Sequence, residues 1–310
     1  MARLDPMTPP VTTEASQPDQ PLPCVLVFNA NDPSGAGGLS CDALAIASVG
    51  GHGLPVVTGS YARDTAEIFD HFSFDEDAVA EQARALLEDL PVQVIKVGFV
   101  GSAENVSAIA GIASDYPDVP LVAYMPNLSW WNEIQTDLYL DAFQELLLPQ
   151  TTVLVGNHST LWRWLLPDWS SERQPTARDL ARAAGEMGVA YTLVTGMPLP
   201  HQFIENVLAT PQTVIASEKF ERIEAVFSGA GDTLSACLAA LLASGCDIGD
   251  AFSESLGYLD RCLDSGFRPG MGHVIPDRLF WAQPETDDND DELHDGPSAP
   301  FDLPPHDTQH

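Results

Sequence analysis

The sequence has little positive charge. Its 13 Lys and Arg residues stand against 45 Asp and Glu residues, which gives a formal net charge of -32 and an isoelectric point near 4.1. Only Lys96 and Lys219 among the basic residues are lysines. Because nucleic acids and anionic membrane surfaces are bound through clustered Lys and Arg side chains, this balance argues against both as partners.

Long apolar runs are also missing. The longest, such as 234–243, fall well short of the roughly 20 residues that span a bilayer. Residues 1–23 have neither the basic start nor the apolar stretch of a signal peptide. We therefore expect a cytoplasmic protein without a membrane segment.

The five cysteines and eight histidines form no recognisable metal-binding pattern. The sequence contains no C-x-x-C pair and no H-E-x-x-H motif, so a structural zinc site is not expected. An odd number of widely spaced cysteines is typical of reduced, mostly buried thiols.

Composition divides the chain into three parts. Hydrophobic residues make up 45% of the whole, which is enough for a sizeable core. The first 22 residues are rich in proline, and residues 284–310 are rich in Asp, Glu, Pro and His. Neither end has enough large apolar side chains to offset the entropy of ordering. We predict a disordered segment over 1–22, one domain over 23–283 and a disordered acidic tail over 284–310.

Short apolar runs alternate with helical patterns along the middle of the chain. The predicted strands are 24–29, 55–61, 92–97, 121–124, 152–155 and 191–195, with 214–217 as an edge strand. The predicted helices are 39–49, 76–90, 104–113, 138–148, 176–187, 232–243 and 248–264. Near-continuous apolar strands between helices indicate a three-layer α/β/α domain with a mainly parallel central sheet. Ligands of such sheets bind in the loops that follow the strands.

The segment F-S-G-A-G-D-T-L-S-A-C-L at 227–238 carries the strongest chemical signal. Gly229 and Gly231 precede a strongly helical run, so successive N–H groups can converge at a helix N-terminus and bind an anion. Asp232 at this terminus can take a proton from an alcohol. Spacing alone favours the simpler interpretation, an ordinary turn with an N-terminal Asp that caps a helix. No Gly-Lys-Ser/Thr follows, so it is not a Walker A loop.

A second glycine-rich segment, N-D-P-S-G-A-G-G-L-S-C-D at 31–42, follows the first strand directly. It lacks the G-x-G-x-x-G register of a dinucleotide-binding loop. The loop fits a backbone-lined pocket for a small, flat ligand. Asp42 on the following helix could accept a hydrogen bond from a ring amine, or it could simply complement the helix dipole.

Several motifs in this order resemble those of one known family. They are D-P-S-G-A-G-G-L-S-C-D at 32–42, K-V-G-F-V-G-S at 96–102, L-L-P at 147–149, Asn157, L-V-T-G at 193–196, S-G-A-G-D-T-L-S-A-C-L-A at 228–239 and P-D-R-L-F at 276–280. Over roughly residues 23–282 the chain resembles the hydroxymethylpyrimidine/phosphomethylpyrimidine kinases of thiamin biosynthesis. These enzymes belong to the ribokinase-like superfamily.

The resemblance implies a ribokinase-like fold and ATP-dependent phosphorylation of hydroxymethylpyrimidine and of its monophosphate. It implies ATP with Mg²⁺ beside the G-A-G-D segment, a small-molecule pyrimidine as the other substrate, and a homodimer. The implied site residues are Asp232 as catalytic base; Gly229, Ala230 and Gly231 as anion hole; Ala30, Asp32, Asp42 and Arg63 around the pyrimidine; and Asn157, Thr195 and Gly196 around the nucleotide.

Five positions depart from the family pattern. Arg63 stands in place of a Gln that reads the pyrimidine edge, and Asp232 replaces the usual Cys of the pyrimidine branch. Tyr124 and Thr160 replace two carboxylates near the metal and phosphates, while Met197 replaces a glycine of a phosphate loop. Losing two carboxylates threatens Mg²⁺-ATP binding. Two alternatives therefore stay open: a ligand-binding homologue that has lost catalysis, and a kinase for another small alcohol such as pyridoxal.

The acidic, lysine-poor composition predicts tolerance of salt. Such a surface stays hydrated at high ionic strength, where counterions screen the repulsion between carboxylates. We expect the free energy of unfolding to rise with NaCl concentration in chemical denaturation experiments. Maximal stability at low salt would contradict this expectation.

Overall fold

Strands and helices alternate along the computed structural model, which describes residues 22–282. Within this range the strands are β1 (Cys24–Asn31), β2 (His52–Arg63), β3 (Ile68–Ser73), β4 (Val92–Val97), β5 (Leu121–Met125), β6 (Val153–Asn157), β7 (Tyr191–Pro198), β8 (Phe203–Ala209) and β9 (Val214–Glu221). The α-helices are α1 (Gly38–Ser48), α2 (Glu76–Asp89), α3 (Ala103–Asp115), α4 (Glu133–Ala142), α5 (His158–Leu165), α6 (Ala177–Glu186), α7 (Ala230–Ala243) and α8 (Ile248–Asp264).

All nine described strands form one sheet in the order β3-β2-β1-β4-β5-β6-β7-β8-β9. The six central strands, β2, β1, β4, β5, β6 and β7, pair in parallel. Strand β3 at one edge and strands β8 and β9 at the other add antiparallel pairs. Parallel neighbours need crossover connections, and the helices between the strands supply them. The predicted mainly parallel sheet is therefore confirmed.

The sheet separates two apolar layers. Alternate side chains of a strand point to opposite faces, so Leu26 and Phe28 of β1 join one buried cluster and Val25 and Val27 join the other. The first cluster lies under α2 to α6, and the second lies under α1, α7 and α8. Burial on both faces explains why the central strands read as continuous apolar runs.

Three elements lie outside the sequence-based expectation. The edge strand β3, I-F-D-H-F-S, mixes the exposed Phe69 and Phe72 with polar residues, and β8 mixes Glu205 and Asn206 with apolar residues. Neither therefore shows a continuous apolar run. Helix α5 is short and begins at an Asn157 cap. The predicted helix 138–148 starts earlier, at Glu133, because Asn132 caps it, and it ends in a π-helical turn, Phe143–Leu147.

Aromatic rings pack into one continuous cluster beside β2. Ring centroids of neighbouring members lie 4.9 to 6.0 Å apart. The members are Tyr61, His71, Phe99, Trp130, Trp131, Tyr139, Phe143 and Trp164. Edge-to-face and stacked contacts of this kind fix ring positions beyond what apolar burial alone achieves. The tryptophans at 130, 131 and 164 are thus held by ring contacts and pack against the core.

All five cysteines are free thiols. Cys246 is half-buried, and the other four, Cys24, Cys41, Cys237 and Cys262, are buried. The prediction of reduced, mostly buried cysteines is therefore confirmed.

The chain divides after Phe280 into two units, and the first contains every strand and α-helix named above. Of the second unit, the description covers only Trp281 and Ala282. The predicted disorder over 1–22 and 284–310 falls almost wholly on residues outside the described range, so the three-part division stays a prediction. None of the helices between residues 22 and 282 combines the length and the apolar composition that crossing a bilayer requires.

Candidate active site

The two glycine-rich loops meet at the carboxyl edge of the sheet. Gly229 caps α7 with a left-handed φ of 86°, a conformation that favours glycine. A Cβ at this position would overlap the carbonyl oxygen of Ala36. Gly229 therefore serves both the turn and the close approach of the 31–42 loop, and the structure brings the two predicted segments together.

Helix α7 presents its N-terminus to this junction. The N–H groups of Ala230 and Gly231 belong to the first turn, so they have no acceptor within the helix. The helix is 14 residues long, and its aligned peptide dipoles place positive potential at this end. This is the arrangement that binds phosphate groups, as the sequence predicts, and the role of these amides as an anion hole stays a prediction.

Asp232 lies in the first turn of α7, and its side chain is 17% exposed. Its Oδ1 accepts hydrogen bonds from Asn29 Nδ2 at 2.9 Å and from Lys96 Nζ at 3.2 Å. Its Oδ2 accepts only a long hydrogen bond, 3.4 Å, from the N–H of Gly38. One oxygen of the predicted base is therefore held by side chains, and the other faces the 31–42 loop.

Lys96 is completely buried and lies between two carboxylates. It belongs to β4, where alternation turns Val94 and Lys96 toward α1 and α7. Its Nζ donates to both oxygens of Asp42 at 2.8 Å, in addition to Asp232. A buried charge of this kind persists only when it is paired, and loss of one partner typically costs about 3–5 kcal/mol.

Asp42 shares this buried site. Its Oδ2 also accepts a hydrogen bond from Asn29 Nδ2 at 2.8 Å, so a single amide group joins Asp42 to Asp232. Asp42 is fully buried. The predicted contact between Asp42 and a pyrimidine stays a prediction, and it would require this carboxylate to become accessible.

Burial and charge act against each other in this cluster. Burial raises the pKa of Asp42 to about 6, although the charge of Lys96 and the hydrogen bond from Asn29 oppose the rise. Burial by itself lowers the pKa of Lys96, but Asp42 and Asp232 outweigh it, so the pKa lies above its usual value. Lys96 is consequently a cation throughout the neutral range.

Asp32 organises the 31–42 loop. Its Oδ1 accepts the N–H and the hydroxyl of Ser34, and its Oδ2 accepts the N–H of Gly37 at 2.9 Å. Arg63 Nη1 completes the set with a 3.0 Å ion pair to Oδ2, and its Nη2 lies 3.5 Å from Ser228 Oγ. Arg63 therefore connects both glycine-rich loops. Contacts of Asp32 and Arg63 with substrate stay predictions.

Ala30 is fully buried where β1 ends. Its N–H donates to Phe99 O at 3.0 Å and to the side chain of Asn29 at 2.9 Å. These bonds fix the point at which the loop leaves the sheet. The predicted place of Ala30 beside the pyrimidine stays a prediction.

Arg278 ties the same loop to α7 from the other side. This residue is 4% exposed, and its Nε donates to Thr233 Oγ1 at 3.0 Å. Its guanidinium also donates to the carbonyl oxygens of Gly35, at 3.2 Å, and of Ala36. Arg278 belongs to the P-D-R-L-F motif at 276–280. The motif therefore has a structural role in holding the loop in place.

Tyr124 occupies the space beside Gly231. A Cβ on Gly231 would overlap the Tyr124 hydroxyl and ring, so only glycine leaves room for this tyrosine. The Tyr124 ring also lies over Lys96, with Nζ 5.9 Å from the ring centroid, a cation–π contact. Burial and the charge of Asp232 raise the pKa of Tyr124 well above its usual value, which keeps the hydroxyl protonated as a hydrogen-bond donor.

A cleft of about 540 Å³ opens on the other side of the α7 N-terminus. The predicted nucleotide residues Asn157, Thr195 and Gly196 line it together with Ala230. Asn157 caps α5 through its Oδ1. Apolar and aromatic side chains complete the walls: Trp162, Phe227, Ile223, Leu256, Leu259 and Leu263. An apolar wall that leads to a helix N-terminus fits a nucleotide base at one end and phosphates at the other.

The donor set for a divalent cation is poor. Across residues 22–282, no group of three or more His, Cys, Asp or Glu side chains is arranged to hold a metal ion. Thr160 is on α5 and does not line the cleft, and Met197 packs against the core. Mg²⁺ prefers several oxygen ligands, and among the described residues Asp232 is not part of a group of three such side chains that could hold it.

Three residues of the site were not singled out from the sequence: Asn29, Lys96 and Arg278. Two of them carried a signal, because Lys96 interrupts the apolar strand V-Q-V-I-K-V and Asn29 ends the strand C-V-L-V-F-N. Lysine is almost never fully buried unless it is paired. A lysine inside a buried strand therefore pointed to a nearby carboxylate, although not to which one.

Comparison with known proteins gives one family. The family model described as phosphomethylpyrimidine kinase matches residues 32–277. The chain is 27% identical over 266 residues to the hydroxymethylpyrimidine/phosphomethylpyrimidine kinase of Mycobacterium tuberculosis, which covers 85% of this chain and 96% of that protein.

Two solved structures share the fold. The ADP complex of Bacillus subtilis pyridoxal kinase has a TM-score of 0.74 at 20% identity, covering 85% of this chain and 100% of the other. The phosphomethylpyrimidine kinase of Clostridium difficile has a TM-score of 0.63 at 20% identity, covering 78% and 99%. At these identities the likeness concerns the fold, and it confirms the predicted ribokinase-like α/β/α architecture.

The contact between Gly231 and Tyr124 yields a first test. We expect Gly231→Ala to destabilise the protein by about 1–3 kcal/mol, because the new methyl group overlaps the phenol ring. Chemical denaturation measures the change. Gly257→Ala is the matched control, since it also lies in a helix but has open space around its Cβ and should be neutral or slightly stabilising. Adding Tyr124→Val should relieve the clash, and a fully stable Gly231→Ala protein would contradict the packing described.

Proposed function

The chain belongs to the phosphomethylpyrimidine kinase family, and on that premise we propose that it phosphorylates hydroxymethylpyrimidine and then its monophosphate, with ATP as phosphoryl donor, in thiamin biosynthesis. The observation that carries the proposal is the position of Asp232. It stands in the first turn of a helix whose free N–H groups border a nucleotide-sized cleft.

The chemistry follows from these positions. Asp232 Oδ2 accepts the proton of the acceptor hydroxyl, and the alcohol oxygen forms a bond to the γ-phosphorus as the bond from phosphorus to the β,γ-bridging oxygen breaks. The N–H groups of Ala230 and Gly231 stabilise the negative charge on the transferred phosphoryl group. The products are the phosphorylated acceptor and ADP. Little covalent work falls on the protein, so positioning and charge stabilisation account for most of the rate.

The acceptor side rests on the 31–42 loop and β2. Ala30, Asp32, Asp42 and Arg63 stand around it, and Arg63 with Asp32 forms a neutral pair at its edge. Tyr61 lies on β2 two residues before Arg63 and stacks on Phe99. Burial, with a smaller contribution from the charge of Asp232, raises the pKa of its phenol. A flat, neutral pyrimidine suits such an aromatic and charge-balanced surrounding.

The nucleotide side rests on Asn157, Thr195 and Gly196 in the cleft. Mg²⁺ accompanies the phosphates of ATP in such kinases and adds positive charge there. The described residues supply too few oxygen ligands for an independent magnesium site. Phosphate and water oxygens would therefore have to supply most of the ligands of this ion.

A second candidate function is supported by Tyr124. The ring fills the space beside Gly231, and no metal-binding group of carboxylates surrounds it within residues 22–282. A protein that binds the pyrimidine without phosphorylating it would tolerate both features. Retention of Asp232 together with Gly229 and Gly231 favours the kinase, because ligand binding alone does not need a base at the helix terminus. Arg63 and Asp232, which stand where the pyrimidine kinases have Gln and Cys, are the features that favour a kinase for another alcohol such as pyridoxal.

Four accompanying predictions belong to the same proposal. They are a cytoplasmic location, a homodimer, salt tolerance, and a kinase domain over residues 23–283 between disordered ends. They rest on composition and on the family resemblance.

The base assignment is tested by Asp232→Asn. We expect kcat to fall by about 10²- to 10⁴-fold, because the amide cannot take the proton of the acceptor. A coupled assay for ADP with hydroxymethylpyrimidine, its monophosphate and pyridoxal as separate acceptors measures the change and identifies the acceptor. Unchanged turnover in Asp232→Asn would contradict the base assignment.

The matched control is Asp250→Asn. Asp250 occupies the corresponding first-turn position of α8 and is exposed, so its loss removes the same charge from a helix terminus outside the site. It should leave kcat unchanged. Absence of turnover in the wild-type protein, together with retained pyrimidine binding, would favour the non-catalytic alternative.

The nucleotide side is tested by Gly196→Ala. Gly196 has a φ of 69°, and its Cβ would lie 2.6 Å from Asn157 Nδ2, so the substitution disturbs both the backbone and a cleft residue. We expect ATP affinity, measured by calorimetry, to fall at least about tenfold, or about 1.4 kcal/mol. Gly245→Ala has the same backbone strain, with a φ of 86°, but open space and no place in the cleft. Equal ATP affinity in both variants would contradict the assignment of Gly196 to the nucleotide site.

A further inference from the structure

Lys96 is the one fully buried lysine of a chain that has only two. It connects three elements, since it extends from β4 to Asp42 on α1 and to Asp232 on α7. Its distances, 2.8 Å to each Asp42 oxygen and 3.2 Å to Asp232 Oδ1, are those of charge-assisted hydrogen bonds. The proton transfer described above does not use this cation, so its presence needs its own explanation.

The two oxygens of Asp232 differ because of Lys96. Oδ1 has two strong donors, Lys96 and Asn29, whereas Oδ2 has one weak donor, the N–H of Gly38. A Cβ at Gly37 would lie 2.8 Å from Oδ2, so Oδ2 faces the glycine loop without a side chain in front of it. The carboxylate is therefore held in one orientation with one oxygen open.

We propose that Lys96 is a positioning residue for phosphoryl transfer: by pairing with Asp42 and Asp232 at once, it keeps Asp232 ionised and turns Oδ2 toward the acceptor hydroxyl. This inference rests on the proposed kinase function. It assigns to Lys96 a second role beyond stability, namely control of the pH at which the base works.

The need for a cation follows from the distance between the carboxylates. Asn29 Nδ2 donates to Asp42 Oδ2 and to Asp232 Oδ1, so these two oxygens lie on either side of one nitrogen. Without a positive charge between them, two carboxylates this close cannot both stay ionised, and they share a proton. Their titration would then belong to the pair, and the base would become protonated at a higher pH.

The other titratable groups around Asp232 do not replace Lys96. Tyr61 on β2, Tyr124 on β5 and Cys41 on α1 all face it, and burial with the neighbouring carboxylates raises their pKa values. These three groups are neutral near pH 7. Arg63 is paired with Asp32, and Arg278 bonds to Thr233 and to the loop carbonyls. Lys96 is therefore the cation that contacts the base directly.

The decisive measurement is the pH profile of kcat/KM in Lys96→Met. We expect its acid limb to move up by at least about one pH unit, which lowers kcat/KM at least about tenfold on the acid side of the limb. The double variant Lys96→Met/Asp42→Asn, which removes the competing carboxylate, should bring the limb back toward its wild-type position. Lys219→Met, which removes the exposed lysine, is the matched control and should leave the profile unchanged.

A uniform loss of activity at every pH, with the acid limb unmoved, would show that Lys96 is merely structural and would overturn the proposal. Absence of turnover in the wild-type protein would instead count against the kinase function. In that case stability still decides whether Lys96 controls the carboxylates. If Lys96→Met does not fold, the double variant Lys96→Met/Asp42→Asn is used instead, because it lacks the unpaired charge and is expected to fold. Its unfolding free energy is then compared with that of Asp42→Asn.

The stability readout follows from the raised pKa of Asp42. A carboxyl group whose pKa is raised by folding to about 6 contributes stability below its unfolded pKa, and this contribution is lost as pH rises through about 6. The unfolding free energy of the wild type, relative to Asp42→Asn, should therefore decrease over that window. In the Lys96→Met background the decrease should extend to higher pH. Identical curves of unfolding free energy against pH in the two backgrounds would show that Lys96 does not control the carboxylates. If Lys96→Met is unfolded at neutral pH but folds near pH 5, the control is supported directly.

Discussion

The buried pairing of Lys96 with Asp42 and Asp232 is the interaction on which the candidate site depends. It joins a central strand to two helices on one face of the sheet, at the edge where the strands end. Each carboxylate alone would be costly at this depth, and the lysine alone would be as well. Together with the amide of Asn29 they satisfy one another, so the carboxylate proposed as the base can be partly enclosed. A surface carboxylate would keep its charge more easily, but water would leave its orientation undefined.

Close backbone approach is the second constraint. Gly229 meets the carbonyl of Ala36, and Gly231 meets the ring of Tyr124, so the start of α7 tolerates no side chain at either position. The family pattern of the pyrimidine kinases has a carboxylate at the position of Tyr124. The tyrosine replaces a charged metal neighbour with a bulky, neutral hydrogen-bond donor. The candidate site therefore has the proposed proton acceptor and the helix terminus, but the position beside Gly231 differs from the family pattern.

Local patterns allowed much of this arrangement to be predicted. The parallel sheet follows from apolar strands between helices, and Asp232 follows from a glycine turn before a helix. The sequence shows that Lys96 lies in an apolar strand, but it does not identify the carboxylates that pair with it. Asp42 and Asp232 lie 54 and 136 residues away along the chain. The approach of Tyr124 to Gly231 likewise depends on how β5 and α7 pack, which no local window contains. Strand β3 was missed for a different reason: its pattern reflects an exposed edge, where alternation is weak.

The position of Arg278 has a consequence for how the protein is made. Its guanidinium holds the carbonyls of Gly35 and Ala36, which precede it by 243 and 242 residues. Contacts so distant along the chain form late, after most loop-closure entropy has been lost. While the ribosome is still adding residues before 278, the nascent polypeptide can complete its sheet but not this loop. A chain that stops before residue 278 would therefore lack the bonds that hold the 31–42 loop against α7.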